Sequence, residues 1–335
     1  MEGEFMKGMF YIILASLILV GCSADRLFML SDGEYLEELA KVTNSKNSAM
    51  FSNGGDEKKN MVYSVWNEDQ ESYNISLKDY VFSNRISEKT SGPSNYFLFP
   101  NYCKANNQVV FQYWDRDNFD IYHVDAFKDH ARTQVTHTRE NEYNPAWSPD
   151  GKLVVYEEGK APKSFAEETS DTYDAIVYEE NEVKENKLWL KNIETNDTKL
   201  LGRGSYPKIS PDGTKVVYVS YEMDMDDNIE VGCIWIMGIN GAMPLQLTNR
   251  DNGYAIMPNW SPDGKSIVFQ SYSEYKADTD ICTISAQGGT VQQHTKNPSE
   301  DFAPYWSTDG YIYFSSDRGS EPSHYNIWRF KVPTN

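Results

Sequence analysis

Apolar residues along this chain gather in short β-branched and aromatic runs, each announced by the same polar punctuation. The fullest copies read N-P-A-W-S-P-D-G-K-L-V-V-Y from Asn144, Y-P-K-I-S-P-D-G-T-K-V-V-Y from Tyr206, M-P-N-W-S-P-D-G-K-S-I-V-F from Met257 and A-P-Y-W-S-T-D-G-Y-I-Y-F from Ala303. Each predicts a β-hairpin, because Asp150-Gly151, Asp212-Gly213, Asp263-Gly264 and Asp309-Gly310 set a dipeptide tolerant of positive φ between two strand-forming runs. Trp147, Trp260 and Trp306 recur at one repeat position, which marks them as packing residues. The Pro ahead of each motif is expected where a strand begins, a place that needs no ladder N–H. Two weaker copies, F-P-N-Y-C-K-A-N-N-Q-V-V-F from Phe99 and S-N-G-G-D-E-K-K-N-M-V-Y from Ser52, extend the array to six units.

Each unit continues into a third strand: Asn74-Ile75, Asp120-Ile121-Tyr122, Leu188-Trp189-Leu190, Ile234-Trp235-Ile236, Asp280-Ile281 and Asn326-Ile327-Trp328. A fourth strand ends in Thr, as Gln134-Val135-Thr136, Gln246-Leu247-Thr248 and Gln293-His294-Thr295. The motif aspartates stand 51 and 46 residues apart, with one longer interval of 62 from Asp150 to Asp212, which suits four-stranded units and one insertion. The last unit stops after its third strand, and Ala40-Lys41-Val42-Thr43 supplies a displaced fourth strand that closes the array. Ser31 and Glu34 have capping-box spacing, so a short helix over Asp32 to Leu39 is expected ahead of that strand.

The W-S-P-D-G hairpins, the Asp or Asn before the third strand and the L-T ending resemble the propeller repeats of the TolB family. The resemblance implies an all-β fold, a six-bladed β-propeller of four-stranded blades over residues 38–335. TolB proteins carry an α/β domain before the propeller, which has no counterpart ahead of these repeats, so the family's partner is not carried over. Propellers host many activities, and the fold alone fixes none.

Met6-Lys7 followed by the apolar stretch Met9 to Val20 reads as a secretory signal over 1–21; Glu2 and Glu4 suit it poorly, which leaves Met6 as an alternative start. Leu19-Val20-Gly21-Cys22-Ser23 resembles a bacterial lipobox, which implies lipidation of Cys22 and a tether over 22–37 to the membrane, the outer membrane by the family's sorting rule. Cys103, Cys233 and Cys282 show no C-x-x-C spacing and are expected as small buried hydrophobes.

Aromatics make up 14% of the chain with 23 Tyr, in keeping with packed strands. A net charge of −19 without any Lys/Arg run argues against nucleic acid as partner. Candidate binding residues fall in the loops that open on one end of the units. Glu142 and Asp301 stand three residues before a motif Pro and are expected near the channel mouth. Asp115, Asp117, Asp224, Asp226, Asp227 and Glu230 lie between second and third strands. The last four have the oxygen alternation of a calcium loop without its Gly and distant Glu, so no metal or cofactor is expected, Ca2+ being the alternative. Asp120 and Asp280 are expected to fix backbone N–H groups. The acidic insertion between Glu157 and Asn186 offers a partner-binding arm or a solvated loop. His137 and His294 are the pair that could converge near the channel, yet no metal spacing or G-x-S-x-G elbow occurs. The expected function is a monomeric, membrane-anchored platform binding an envelope protein or peptide, the alternative being a carbohydrate-active enzyme or glycan-binding propeller.

Overall fold

A computed structural model describes residues 36–44, 48–54, 61–67, 72–78, 86–88, 96–114, 118–128, 131–159, 186–223, 230–272, 279–320 and 324–332. Strand β1 (Glu37–Lys41) comes first. A group follows of β2 (Ala49–Asn53), β3 (Met61–Asn67), β4 (Ser72–Lys78) and β5 (Ile86–Glu88), then β6 (Tyr96–Cys103), β7 (Gln108–Trp114), β8 (Phe119–Asp125) and β9 (Thr133–Gln134). Next come β10 (Asn141–Trp147), β11 (Leu153–Gly159), β12 (Lys187–Asn192) and β13 (Thr198–Arg203), and β14 (Ser205–Ile209), β15 (Lys215–Met223), β16 (Glu230–Gly238) and β17 (Leu245–Gln246). The chain ends with β18 (Tyr254–Trp260), β19 (Ser266–Tyr272), β20 (Thr279–Ser285) and β21 (Gln292–Gln293), then β22 (Asp301–Trp306), β23 (Tyr311–Ser316) and β24 (Asn326–Lys331). Strands β10–β13, β14–β17 and β18–β21 each form a four-stranded antiparallel sheet in chain order, and β1-β24-β23-β22 forms another. Strands β2–β9 form a larger sheet whose halves meet through one parallel pairing, Tyr73 with Tyr96.

The S-P-D-G segments are built by one hydrogen-bond scheme. Gly151 N–H donates to Ser148 O, the Ser148 hydroxyl donates to Asp150 Oδ1 at 2.5 Å and accepts from Leu153 N–H at 2.9 Å, and Lys152 N–H also donates to Asp150. Ser210 with Asp212 and Ser261 with Asp263 repeat it. Gly151, Gly213, Gly264 and Gly310 have φ between 70° and 85°, which is why the Asp-Gly pair is needed.

The motif prolines sit inside strands, not at their start. Register breaks between Met50 and Asn53, Leu98 and Asn101, Tyr143 and Ala146, Ser205 and Lys208, Ile256 and Asn259, and Phe302 and Tyr305. At each break one residue has φ of 50° to 56°: Phe51, Phe99, Asn144, Tyr206, Met257 and Ala303. Ser52 or a proline (Pro100, Pro145, Pro207, Pro258, Pro304) comes next. A β-bulge leaves a residue out of the ladder, so a proline there forfeits no hydrogen bond.

The closing strand is present, while the expected helix is overturned over Glu37 to Leu39, which belong to β1; residues 32–35 lie outside the described residues. Glu38 has φ 52° at a register shift between Glu37 and Ala40. That bulge lets Leu36 and Leu39 both pack on Val268, Ile281, Ile312 and Phe314, so a helical i, i+3 spacing arises in a strand. Thr43 completes the pattern: its hydroxyl accepts from Ile327 N–H at 2.9 Å, as Thr136, Thr248 and Thr295 accept from Ile121, Ile234 and Ile281 at 2.8 to 2.9 Å.

Cores lie between neighbouring sheets. Trp147 packs with Val110, Ile121 and Val135 of the preceding group, and Trp260 with Val217, Ile234 and Leu247 while its indole donates to Lys208 O at 3.0 Å. Cys103, Cys233 and Cys282 are buried free thiols, and burial lifts Cys233 and Cys282 to about 12.

Candidate functional site

The six bulged strands meet at one cavity, open to solvent, whose wall contains the positive-φ residue of every one of them. In three of these strands the residue after the bulge pair also reaches the wall, as Asn53, Lys208 and Asn259. Phe51, Phe99 and Met257 make the wall apolar between these polar groups.

Lys208 is the only charged residue on this wall. Its ammonium has no ion-pair or hydrogen-bond partner among the described residues, and burial lowers its pKa to about 8 against the opposing pull of Glu157. Glu157 stands behind the wall at 1% exposure and accepts from Asn144 Nδ2, itself 1% exposed. Burial raises the Glu157 pKa, with Ser205, Asn144, Asn186 and the Tyr206 N–H favouring the charged form. Asn186 lies flush on the backbone of Gly159, where a Cβ would fall 1.7 Å from its Oδ1. Hence Gly159 seats the amide that faces Glu157.

Glu142 and Asp301 are fully buried within the sheets and are absent from the cavity wall. Glu142 accepts from Thr136 Oγ1 at 2.9 Å and from Thr138 Oγ1. Burial raises it to about 8, and the neighbouring Asp120 carboxyl adds to the shift. Asp301 accepts from Ser316 Oγ at 2.5 Å, from Asn297 Nδ2 at 3.1 Å and from the buried guanidinium of Arg318. Burial raises Asp301, and Arg318 opposes that shift.

Asp120 and Asp280 are buried and hold side chains of the outer strands. Each accepts from the fourth-strand glutamine, Gln134 at 3.0 Å and Gln293 at 2.6 Å, and Asp280 also from Thr295. The third-strand N–H is already held by the repeat Thr, which frees the carboxylate for side chains. His137 and His294 do not converge: His137 is exposed, while His294 pairs with Thr283 at 2.9 Å and packs on Phe330, burial lowering it to about 4. Among the described residues no three His, Cys, Asp or Glu gather to hold a metal. Cys22, Asp115, Asp117, Asp224, Asp226, Asp227 and the insertion over 160–185 lie outside the described residues, and Glu230 is described only as the first residue of β16.

Lys208, Glu157 and Arg318 were not singled out from sequence. A signal existed for Lys208. At the position after the motif Pro the other copies carry Asn101, Ala146, Asn259 and Tyr305, all uncharged.

Residues 207–330 match the family model described as TolB beta propeller domain. The Tol-Pal system protein TolB of Francisella tularensis subsp. mediasiatica is 22% identical over 269 residues, 76% of this chain and 56% of that protein. Among solved structures, TolB from Acinetobacter baumannii superposes with a TM-score of 0.56 at 15% identity, covering 84% of this chain and 65% of that one. An oligogalacturonate lyase in complex with manganese gives 0.58 at 13%, covering 90% and 96%. The matched stretch spans about half or less of the first curated relatives' length. The chain therefore carries TolB-like propeller repeats in an all-β fold of the propeller kind.

Proposed function

We propose that this chain is a six-bladed β-propeller over residues 38–335, anchored through a lipid on Cys22 in the outer membrane of a Gram-negative envelope, and that it binds an envelope protein or peptide through its channel and the surrounding loops. The observation that carries the reading is the cavity. All six inner strands contribute the same bulge residue to it, and its wall holds an unpartnered cation between apolar side chains. Ligand sites tend to be concave and mostly apolar, with a few placed polar groups. The buried acids beside it belong to the sheets, where each is tied to Thr, Gln, Asn or Arg side chains, so they frame the channel instead of doing chemistry in it. The six-blade count rests on the six equivalent bulges and on Thr43 taking the place of the repeat Thr beside β24.

Affinity capture from envelope extracts tests the reading, comparing wild type with Met257→Arg, which fills the channel from its wall. A protein captured by wild type and lost from the filled variant supports it. Equal capture by both, or none by either, overturns it. The carbohydrate-active alternative draws on the likeness to the lyase fold and gains no metal cluster among the described residues.

A further inference from the structure

We propose that the channel recognises a carboxylate on a peptide segment, held by Lys208 together with the side-chain amides of Asn53 and Asn259; this rests on the reading of the channel as the binding face. The argument is one of donors and acceptors. Trp147 N–H donates to Asn101 Oδ1 at 2.9 Å, which fixes that amide so that its Nδ2 points to Asn53 Oδ1, also at 2.9 Å. Trp260 N–H donates to Asn259 Oδ1 at 2.9 Å. Because a backbone N–H can only donate, these contacts settle which amide atom is oxygen. Both wall amides therefore commit their oxygen to the protein, and their Nδ2 groups have no acceptor among the described residues. Lys208 adds a third donor without an acceptor.

Three unsatisfied donors, one of them cationic, surround one cavity. A wall of this kind is complemented by an anion with hydrogen-bond-accepting oxygens, and charge-assisted bonds are the strong ones. One Lys carries the single charge of a carboxylate and, with two amides, supplies donors for its two oxygens. The rest of the wall points to a peptide. Phe51, Phe99 and Met257 supply apolar contact beside the three donors, as side chains of a peptide would require. Asn144 gives its Nδ2 to Glu157, and Glu157, behind the wall, tempers the Lys208 charge.

The test uses the full chain with two otherwise identical peptides, Ac-Gly-Gly-Phe with a free C-terminal acid and its C-terminal amide, and sodium acetate as the bare anion. Affinities come from calorimetry, and the Lys208 13Cε resonance is followed through a pH titration. The expected result is that the acid binds at least about tenfold tighter than the amide. It should also raise the Lys208 pKa, and Lys208→Met should erase the preference without lowering the melting temperature while Lys208→Arg retains it. Equal binding of acid and amide, a preference that survives in Lys208→Met, or no binding of either overturns the proposal. Acetate that matches the peptide overturns its peptide half. Partner capture that persists in Lys208→Met alongside a missing acid preference would leave the binding platform standing and remove only the carboxylate.

Discussion

At the hairpin end of the inner strands Asp150, Asp212 and Asp263 are exposed, and the hydroxyls of Ser148, Ser210 and Ser261 hold them below the usual carboxylate range. At the opposite end Glu142 and Glu157 are buried and burial pushes both upward. The group is a carboxyl at both ends, and hydroxyl or amide donors reach it at both. What differs is water. A carboxylate that keeps solvent on one side gains from each donor, whereas one sealed between sheets loses its hydration and recovers only part of it from neutral hydroxyls and amides. The contrast sharpens within the sealed end. Glu142 and Asp301 occupy one repeat position, yet Asp301 meets Arg318 and Glu142 meets Asp120. Repeat geometry thus sets where an acid is buried, and the charge of the neighbour it meets adds to the effect of burial or opposes it.

The largest expected effect comes from removing the cation at the sealed end. Arg318 is 2% exposed and stacks on Phe314 at 5.0 Å as well as pairing with Asp301. Arg318→Met leaves a buried carboxylate without its counter-charge and is expected to cost about 3–5 kcal/mol, read from urea midpoints. Adding Asp301→Leu should restore part of it, because an apolar pair carries no desolvation penalty. Failure of the double variant to recover would mean that packing around Arg318 matters more than its charge.

Gly159→Ala comes next. The added Cβ would fall 1.7 Å from Asn186 Oδ1, and at a position without positive φ the cost is steric alone. About 1–3 kcal/mol is expected from the forced shift. Asn186→Ala in the same background should relieve most of it.

Glu142→Gln tests the charge state. The folded pKa, about 8, lies above the ordinary 4.5, so between those values the folded state holds a proton that the unfolded chain has released. Stability contributed by this group is therefore full below about pH 4.5 and falls as pH rises toward 8. The glutamine variant should lack that slope and equal or exceed wild type above pH 8. Urea midpoints across pH 4 to 9 check it. Parallel curves for the two proteins would show that Glu142 is ionised throughout.

Much of this division was legible in the chain. Asp-Gly after Trp-Ser-Pro located the hairpins because the turn chemistry is local, with every bond of Asp150 made to residues two positions away. The L-T endings located the outer strands, and Thr43 was found by its likeness to them. The sealed end was harder to read. Leu36 and Leu39 imitate a helix because a bulge at Glu38 shifts the strand phase. Arg318 reaches Asp301 across 17 positions and Asn186 reaches Glu157 across the insertion, contacts that no repeat pattern announces. The prolines mark the inner strands without fixing their place in them, since a bulge inside a strand and a strand start both lack a ladder N–H.

The smallest effect is expected at the hairpin end. Asp150→Asn keeps an oxygen to accept from Lys152 N–H and the Ser148 hydroxyl, and removes only the charge. Because the group is exposed, solvent screens most of what the charge contributes, and a loss below about 1 kcal/mol is expected. Its sign with pH runs opposite to that of Glu142. A folded pKa below the ordinary 3.8 means that the contribution is full above that value and fades as pH falls below it. The difference between wild type and Asp150→Asn should therefore vanish in acid, where the difference for Glu142→Gln vanishes as well, and near pH 8 the two variants should depart from wild type in opposite directions. If both lost stability there, solvent access would not be what separates the two ends.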